Sequence, residues 1–534
     1  MNKYCKYKWN ILAVLLLLLG CDDFLKEDSG DLLIPERVDE FSPMLYAEGY
    51  PSGFNDEVTW FKLMTDDVEM ERLEIDSTST ELDKKDGNAF DALEGGEGRQ
   101  AYVWTKDLDD RLNDNFWGKR YENILACNLV IRELPEMHYV EQDSGKYNYL
   151  AAQAYALRAY HYWCLINTYA LPYAEENMDK PGVIIRTNPE IEIKSRPRSS
   201  IREVYKLINE DMEKAEQYIV KSDIPGNKHL LTRPALYLLA SRIALFQENW
   251  DEVIRTAELF LKDNSNVFDL NAVDTILFGT DSSPKAFCMM DGMVNEEIVF
   301  TFGNSSYDYD FLAVTLSGSA YGLGFRPSRE GNSSLLRSYE EGDLRTQAYF
   351  KKNVPGKKAE WPWEEDVPIR YNYQYPVKYW RINGEGATKP NHKMYRENWR
   401  SVEVMLNLAE AYVRKTNSVH PDAIGLLDNL RQCRISNDKY VAKKASDFSS
   451  SEDLLHFIWS ERRRELCFEE AMRFWDLRRQ GMPEIEHRWY TSWNTYETYI
   501  LRKGSPNYVL SIPESELKYN DACTDNSREM INAN

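Results

Sequence analysis

Seven histidines and 87 carboxylates are the residues of this 534-residue chain that could run acid–base or metal chemistry, and their spacing argues against it. No His-Glu-x-x-His pair is present to hold zinc, and no Gly-x-Ser-x-Gly turn presents a nucleophile. Gly322-Leu323-Gly324 opens no clear strand-to-helix phosphate loop. A pair of acids for glycoside hydrolysis is defined by spatial separation, so 87 candidates nominate none. Asp107, Asp109, Asn113 and Asp114 form a run that could hold calcium. It lacks the glycine and terminal glutamate of an EF-hand loop, and we take it as a helix-capping acidic loop. No catalytic residue, metal site or cofactor is expected. The chemistry that stays open is recognition. A sugar presents an apolar C–H face that stacks on an aromatic ring, and Trp60, Trp104, Tyr307, Tyr309, Tyr321, Trp361 and Trp363 are the candidate ligand-binding platforms.

One further residue carries covalent chemistry. Lys3, Lys6 and Lys8 precede an apolar run from Ile11 to Leu19, too short to span a bilayer as a helix, and then comes Leu18-Leu19-Gly20-Cys21. This ending resembles the lipobox of bacterial lipoproteins, which implies that residues 1–20 are a signal peptide and that Cys21 is the lipidated first residue of the mature chain. Several acyl chains anchor a protein almost permanently, whereas one binds only marginally. Asp22 and Asp23 resemble the surface-export signal of Bacteroidota-type lipoproteins, which implies a body facing the outside medium.

Composition narrows the partners. The formal net charge is −22, and loss of the three lysines in the signal makes the remainder more acidic still. A nucleic-acid reader needs a basic footprint, and an anionic membrane surface repels such a body. Contact with the membrane is therefore through the lipid alone. Hydrophobic residues at 43% suffice for a large core. Beyond Cys5 and Cys21, the six remaining cysteines are scattered, without Cys-x-x-Cys spacing, and predict neither a disulfide framework nor a zinc site.

The elements that must position these residues are mainly helical. Residues 21–50 read as an acidic leader in which Pro35 and Pro43 break helices, either wrapping the body or spacing it from the membrane. Residues 71–100 read as an exposed loop. Trp117, Tyr121, Ile124, Leu125, Asn128 and Ile131 recur at helical steps until Pro135. Helices are predicted over about 149–169, from the caps Ser199-Ser200 to about 220, from Pro234 to Phe246, and from Trp250 through Phe260. The theme returns at 400–415, 421–435 and 452–480. Such paired helices, over about 115–262 and 400–480, look like degenerate tetratricopeptide-like hairpin repeats. Between them, about 265–400, the helical period fades into short strands such as 298–302. Sixteen of the eighty residues 301–380 are aromatic, against 13% of the chain. A loop-rich, aromatic-rich insertion on a rigid helical scaffold is where binding function is usually placed.

Several segments together resemble one family over essentially the whole mature chain. They are Trp117 with Tyr121, Ile124 and Asn128; Ala156-Leu157-Arg158-Ala159 with Tyr169 and Pro172; Asp343-Leu344-Arg345; Leu408-Ala409-Glu410-Ala411; Glu461-Arg462-Arg463-Arg464-Glu465-Leu466-Cys467-Phe468-Glu469 with Arg473, Asp476 and Arg479; and Ser511-Ile512-Pro513 with Glu516. In order and spacing they resemble the SusD-like (RagB/SusD) outer-membrane nutrient-binding lipoproteins. The resemblance implies a single SusD-like domain over 51–534, an α-α superhelix. It also implies a non-enzymatic role: capture of an extracellular glycan or oligosaccharide for a SusC-like TonB-dependent transporter, over which the protein acts as a lid. An oligopeptide is the alternative ligand, since the acidic body would steer cations. A surface glycoside hydrolase and a purely structural scaffold are the readings from other classes. Asp66 and Asp67 resemble a family segment near the binding face. The charged residues of 461–479 fall at helical spacing and are expected to lock neighbouring helices together.

Overall fold

The computed structural model describes residues 37–51, 59–70, 97–106, 108, 110–190, 194–273, 290, 295–303, 325–331, 333–352, 374–376, 397–491 and 495–534. Cys21, Asp22, Asp23, Tyr307, Tyr309, Tyr321, Trp361, Trp363 and the side chains of the 107–114 acidic run lie outside them.

Described elements begin with α1 (Val38–Met44), followed by a π-helical turn Leu45–Gly49, then α2 (Thr59–Leu63), β1 (Val68–Met70) and α3 (Glu97–Tyr102). The helical scaffold follows as α4 (Asp110–Glu133), α5 (Ser144–Tyr169), α6 (Ile201–Ile219), α7 (Arg233–Phe246) and α8 (Trp250–Leu261). Next come β2 (Ile298–Phe302), β3 (Phe325–Pro327), α9 (Arg345–Ala348), β4 (Phe350–Lys352), β5 (Gln374–Pro376) and β6 (Glu397–Arg400). The chain returns to helices with α10 (Ser401–Thr416), α11 (Pro421–Gln432), α12 (Ser451–Leu466) and α13 (Met472–Arg479), and ends with the hairpin β7 (Ile485–Tyr490) and β8 (Tyr496–Leu501) and with α14 (Glu514–Tyr519). The architecture is mainly helical with short paired strands, and none of the described helices is long and apolar enough to cross a membrane.

Local chemistry explains the helix limits. Ser200 caps α6 by accepting from Glu203 N at 3.2 Å, while the Glu203 carboxylate accepts from Ser200 N at 2.8 Å, a reciprocal capping box. Pro234 sits in the first turn of α7, where its missing N–H costs nothing. Asn417 closes α10 at φ +47°. α5 is buried around nearly its whole circumference and forms the centre of the main core; Ala151, Ala154, Ala156 and Ala159 let its neighbours approach closely. A smaller core joins α10, α11 and α12 through Leu406, Leu427, Leu454 and Ile458.

Three expectations are corrected. Residues 38–49 are helical in spite of Pro43, because Val38, Phe41 and Leu45 bury an apolar face, and the leader wraps the body from residue 37 onward. The wrap is fixed where Tyr50 Oη accepts from Leu231 N at 2.9 Å and donates to Gln153. Leu125 is exposed, lying outside the α4 face that buries Trp117, Ile124 and Asn128. The run 452–480 is two helices, split where Phe468 and Glu470 take positive φ and carry Glu469 and Glu470 inward.

Inward carboxylates meet arginines from distant segments. Glu465, wholly buried, accepts from Arg400 at 2.7 Å, from Arg434 and Arg345 at 3.0 Å, and from Tyr349 Oη at 3.0 Å. Glu297 accepts from Arg434 at 2.6 Å and Arg400 at 2.9 Å, and Glu461 from Arg345 and Arg464, each at 2.6 Å. Glu470 joins Arg242, Trp399 Nε1 and Tyr160 Oη. Arg462 and Arg479 share Asp476. These contacts tie α5, α7, α9 and α12 to the segments of β2 and β6, which pair antiparallel, and tie α12 to α13.

Candidate ligand-binding site

Four strands gather where the chain enters and leaves the segments that hold most of the sequence-nominated aromatics. β1 pairs antiparallel with β3, with Glu69 opposite Arg326; β7 packs against β1 and β5 against β3. Segment 71–96 leaves from β1, 304–324 runs directly into β3, and 353–373 joins β4 to β5.

The patch is stiff at its base. Arg326 is buried and donates from Nε to Glu69 Oε1 at 2.7 Å, and the other Glu69 oxygen accepts from the backbone N of Arg329 and Glu330 at 3.1 and 2.9 Å. Behind β7, the rings of Tyr102 and Trp104 sandwich His487 at centroid distances of 4.1 and 4.2 Å. Burial outweighs hydrogen bonding to the Tyr102 and Thr65 carbonyls and lowers the His487 pKa to about 4. Tyr102 Oη accepts from Met70 N at 2.9 Å, tying β1 to this stack.

Trp60 and Trp104 are therefore not ligand platforms. Both are fully buried; Trp60 stacks on Phe61 at 4.0 Å, and Trp104 donates Nε1 to Met64 O at 2.9 Å. An indole enclosed in the core has no free face for a sugar; Trp104, stacked on His487, supports β7 from beneath. Asp66 and Asp67 are likewise occupied: Arg473 clamps Asp66 at 2.8 and 2.7 Å, and Arg463 reaches Asp67 at 2.6 Å.

The hairpin supplies polar and aromatic groups that the sequence reading did not nominate. Cross-strand pairing places Arg488 opposite Thr498 and Tyr490 opposite Tyr496 on one face. Tyr496 is 48% exposed, its ring 5.6 Å from that of Tyr490 and 5.2 Å beneath the Arg488 guanidinium. Arg488 also lies 3.4 Å from Glu330. At the adjoining edge Arg99 donates to Tyr499 Oη at 2.8 Å and lies over Trp489 at 5.3 Å, while Tyr499 Oη donates to Glu497 at 2.6 Å. Ile485, His487 and Trp489 at alternate positions, with Glu486 and Arg488 between them and Tyr496 and Tyr499 to follow, are the partial signal for this hairpin.

A family model described as starch-binding and associating with the outer membrane matches residues 58–245, and the SusD family model matches residues 327–527. The chain belongs to the SusD family. A curated relative, SusD-like protein P2 of Formosa agariphila, is 23% identical over 491 residues, 89% of this chain and 90% of its own length. Two solved structures share the fold at 19% identity over 92% of this chain. One is a SusD-like carbohydrate binding protein from Bacteroides vulgatus, covered over 98% of its length at TM-score 0.62. The other is a SusD superfamily protein from Bacteroides thetaiotaomicron, covered over 100% at 0.65.

In this SusD-family chain the 327–527 match contains the β7–β8 hairpin and most of the buried arginine–carboxylate lattice, of which Tyr160, Arg242 and Glu297 lie outside it. The lattice is enclosed and its carboxylates are engaged by arginines, whereas the hairpin offers a partly open ring, a guanidinium and carboxylates within a few ångströms of each other. That combination can stack on an apolar ring face and exchange hydrogen bonds with hydroxyls. Among the described residues no group of three or more His, Cys, Asp or Glu is placed to hold a metal ion.

Proposed function

We propose that this SusD-family protein is a surface-exposed lipoprotein, anchored through Cys21 to the outer membrane, that captures an extracellular glycan and passes it to a SusC-like TonB-dependent transporter, closing over it as a lid. Its role is binding without turnover. The observation that carries the reading is the open Tyr496–Arg488 pair on a stiff strand patch, at the place where the aromatic-rich segments enter and leave. Tyr307, Tyr309, Tyr321, Trp361 and Trp363 are proposed to complete the ligand contacts.

Calorimetry of the purified chain against a panel of oligosaccharides and against a peptide mixture tests it. Heat with at least one oligosaccharide, diminished by Tyr496→Ala, is the expected result. Heat with peptides alone would replace the glycan by an oligopeptide, and soluble sugar released from a polysaccharide would overturn binding without turnover.

A further inference from the structure

The helical scaffold carries an open groove of about 440 Å³ at one end, away from the residues of the strand patch. The end is defined by antiparallel neighbours. Ser222, just past α6, donates to Gly145 O at the start of α5, and Arg233 at the start of α7 donates to Ile219 O at the end of α6. Pro234 and Leu259 then place the start of α7 and the end of α8 along the same groove.

Exposed apolar side chains concentrate here. Among the described residues eleven large hydrophobics are exposed, and five of them, Tyr139, Val140, Val220, Ile224 and Leu259, belong to the segments that make this end. Ile224 and Leu259 line the groove itself, as do Pro225 and Pro234. The loop that carries Ile224 and Pro225 is set by Gly226 at φ +61°, where a Cβ would meet Tyr149 Oη at 2.5 Å.

Two carboxylates rim this apolar trough, Asp223 and Asp263, both on exposed residues. Asp223 lies against Gly145 in the first turn of α5. The trough's cation, Arg233, donates to a backbone carbonyl. Tyr237, the aromatic of the lining, is 9% exposed and offers no ring face for a sugar to stack on.

We propose that this groove is a second binding site, for a basic, aliphatic segment of a partner protein: a lysine or arginine side chain lays its stem along Ile224, Pro225 and Leu259 and sets its cationic head between Asp223 and Asp263. Long basic side chains pair an apolar stem with a charged tip in this way, and the chain's net charge of −22 steers such a segment inward. The site is independent of the glycan reading of the strand patch.

The test uses the full chain in detergent and a fluorescent, end-capped Leu-Lys-Ile-Arg peptide, followed by polarisation. The peptide is expected to bind, with affinity falling at least tenfold in Asp223→Asn/Asp263→Asn and in Ile224→Ser/Leu259→Ser, and unchanged in Tyr496→Ala. These substitutions fall on exposed side chains, and circular dichroism of each variant should overlay the parent. No binding at millimolar peptide, equal binding of a Leu-Glu-Ile-Gln control, affinity within twofold in the Asp double variant, or displacement by maltoheptaose would each overturn the proposal.

Discussion

Glu465→Gln removes one charge from the centre of the buried lattice and keeps the side chain's shape. In the parent, one carboxylate oxygen accepts from Arg400, Arg434 and Tyr349 and the other from Arg345 and Arg434, at 2.7 to 3.0 Å. Glutamine supplies one acceptor and turns an NH₂ toward guanidinium N–H donors; Arg400 and Arg434 keep Glu297 and Arg345 keeps Glu461, but each loses the central charge they share at a site with no access to water. Breaking a buried pair from one side costs about 3–5 kcal/mol. Unfolding entropy of about 2.1 cal/mol/K per residue gives roughly 1 kcal/mol/K for a chain of this size, so the Tm shift is only about 3–5 °C. Urea titration is the more sensitive assay. It also reads the acid limb: burial alone would raise the Glu465 carboxyl, and Arg434, Arg400 and Arg345 overcome that and hold it well below the carboxylate range. Its stabilisation is therefore present above the unfolded pKa and lost as pH falls, and the variant's stability should depend less on pH below about 4.5. Ligand affinity of the folded variant should match the parent, because the lattice is architecture. A loss below about 1 kcal/mol, or a folded variant that no longer binds, would refute this reasoning.

Four further outcomes follow from the same structure. Tyr496→Ala should weaken glycan binding about 2- to 13-fold, the worth of about 0.5–1.5 kcal/mol for a ring contact, with circular dichroism unchanged; unaltered calorimetric affinity would remove the hairpin from the site. Trp104→Phe forfeits the bond to Met64 O and should cost about 1–2 kcal/mol in urea while changing affinity less than threefold; a tenfold affinity loss at full stability would restore Trp104 as a ligand contact. His487, depressed from 6.5 to about 4, contributes stability that is complete above pH 6.5 and lost as pH falls through 4, up to about 3 kcal/mol; an imidazole NMR titration with a midpoint at or above 6.5 would contradict it. Cys21→Ala should yield a folded, ligand-competent protein in the soluble fraction that no longer supports uptake, and continued membrane attachment on fractionation would count against lipidation there.

Helices were legible because burial on one face leaves a period in the sequence: the Ser200–Glu203 box, Pro234 and the face from Trp250 to Phe260 each mark their helix. Exposure was not legible. Trp60 and Trp104 have the residue type a sugar platform needs, yet the same indole is also the largest piece of core a chain can supply, and only tertiary packing distinguishes the two. The β7–β8 hairpin went unread because Arg488, Trp489 and Tyr490 mix polar and aromatic residues in a short run, and its pairing with Tyr496 appears only once the turn closes. The split at 468–470 was hidden for a different reason. The charge spacing of Glu461, Glu465 and Asp476 continues smoothly through it, while Phe468 and Glu470 adopt a left-handed backbone that tertiary ion pairs hold in place.

Why this fold fills part of its interior with arginines and carboxylates follows from what they connect. An apolar lattice of equal volume would be comparably stable, since desolvating each ion offsets much of its pairing energy. Charges add a condition that leucines do not impose. Glu297, Arg345, Arg400, Arg434 and Glu465 come from five separate stretches of chain, and each is satisfied only when the others arrive in register. Glu297 immediately precedes β2 and Arg400 ends β6, and the paired strands lead at their other ends into 304–324 and 377–396. Sliding that pair by one residue would carry Arg400 away from Glu465 and Glu469 and leave several ions buried without partners, a cost far above that of an aliphatic mismatch. The lattice thus fixes the stems from which the aromatic-rich segments emerge, so their sequences can vary with the ligand while the frame that presents them stays in register.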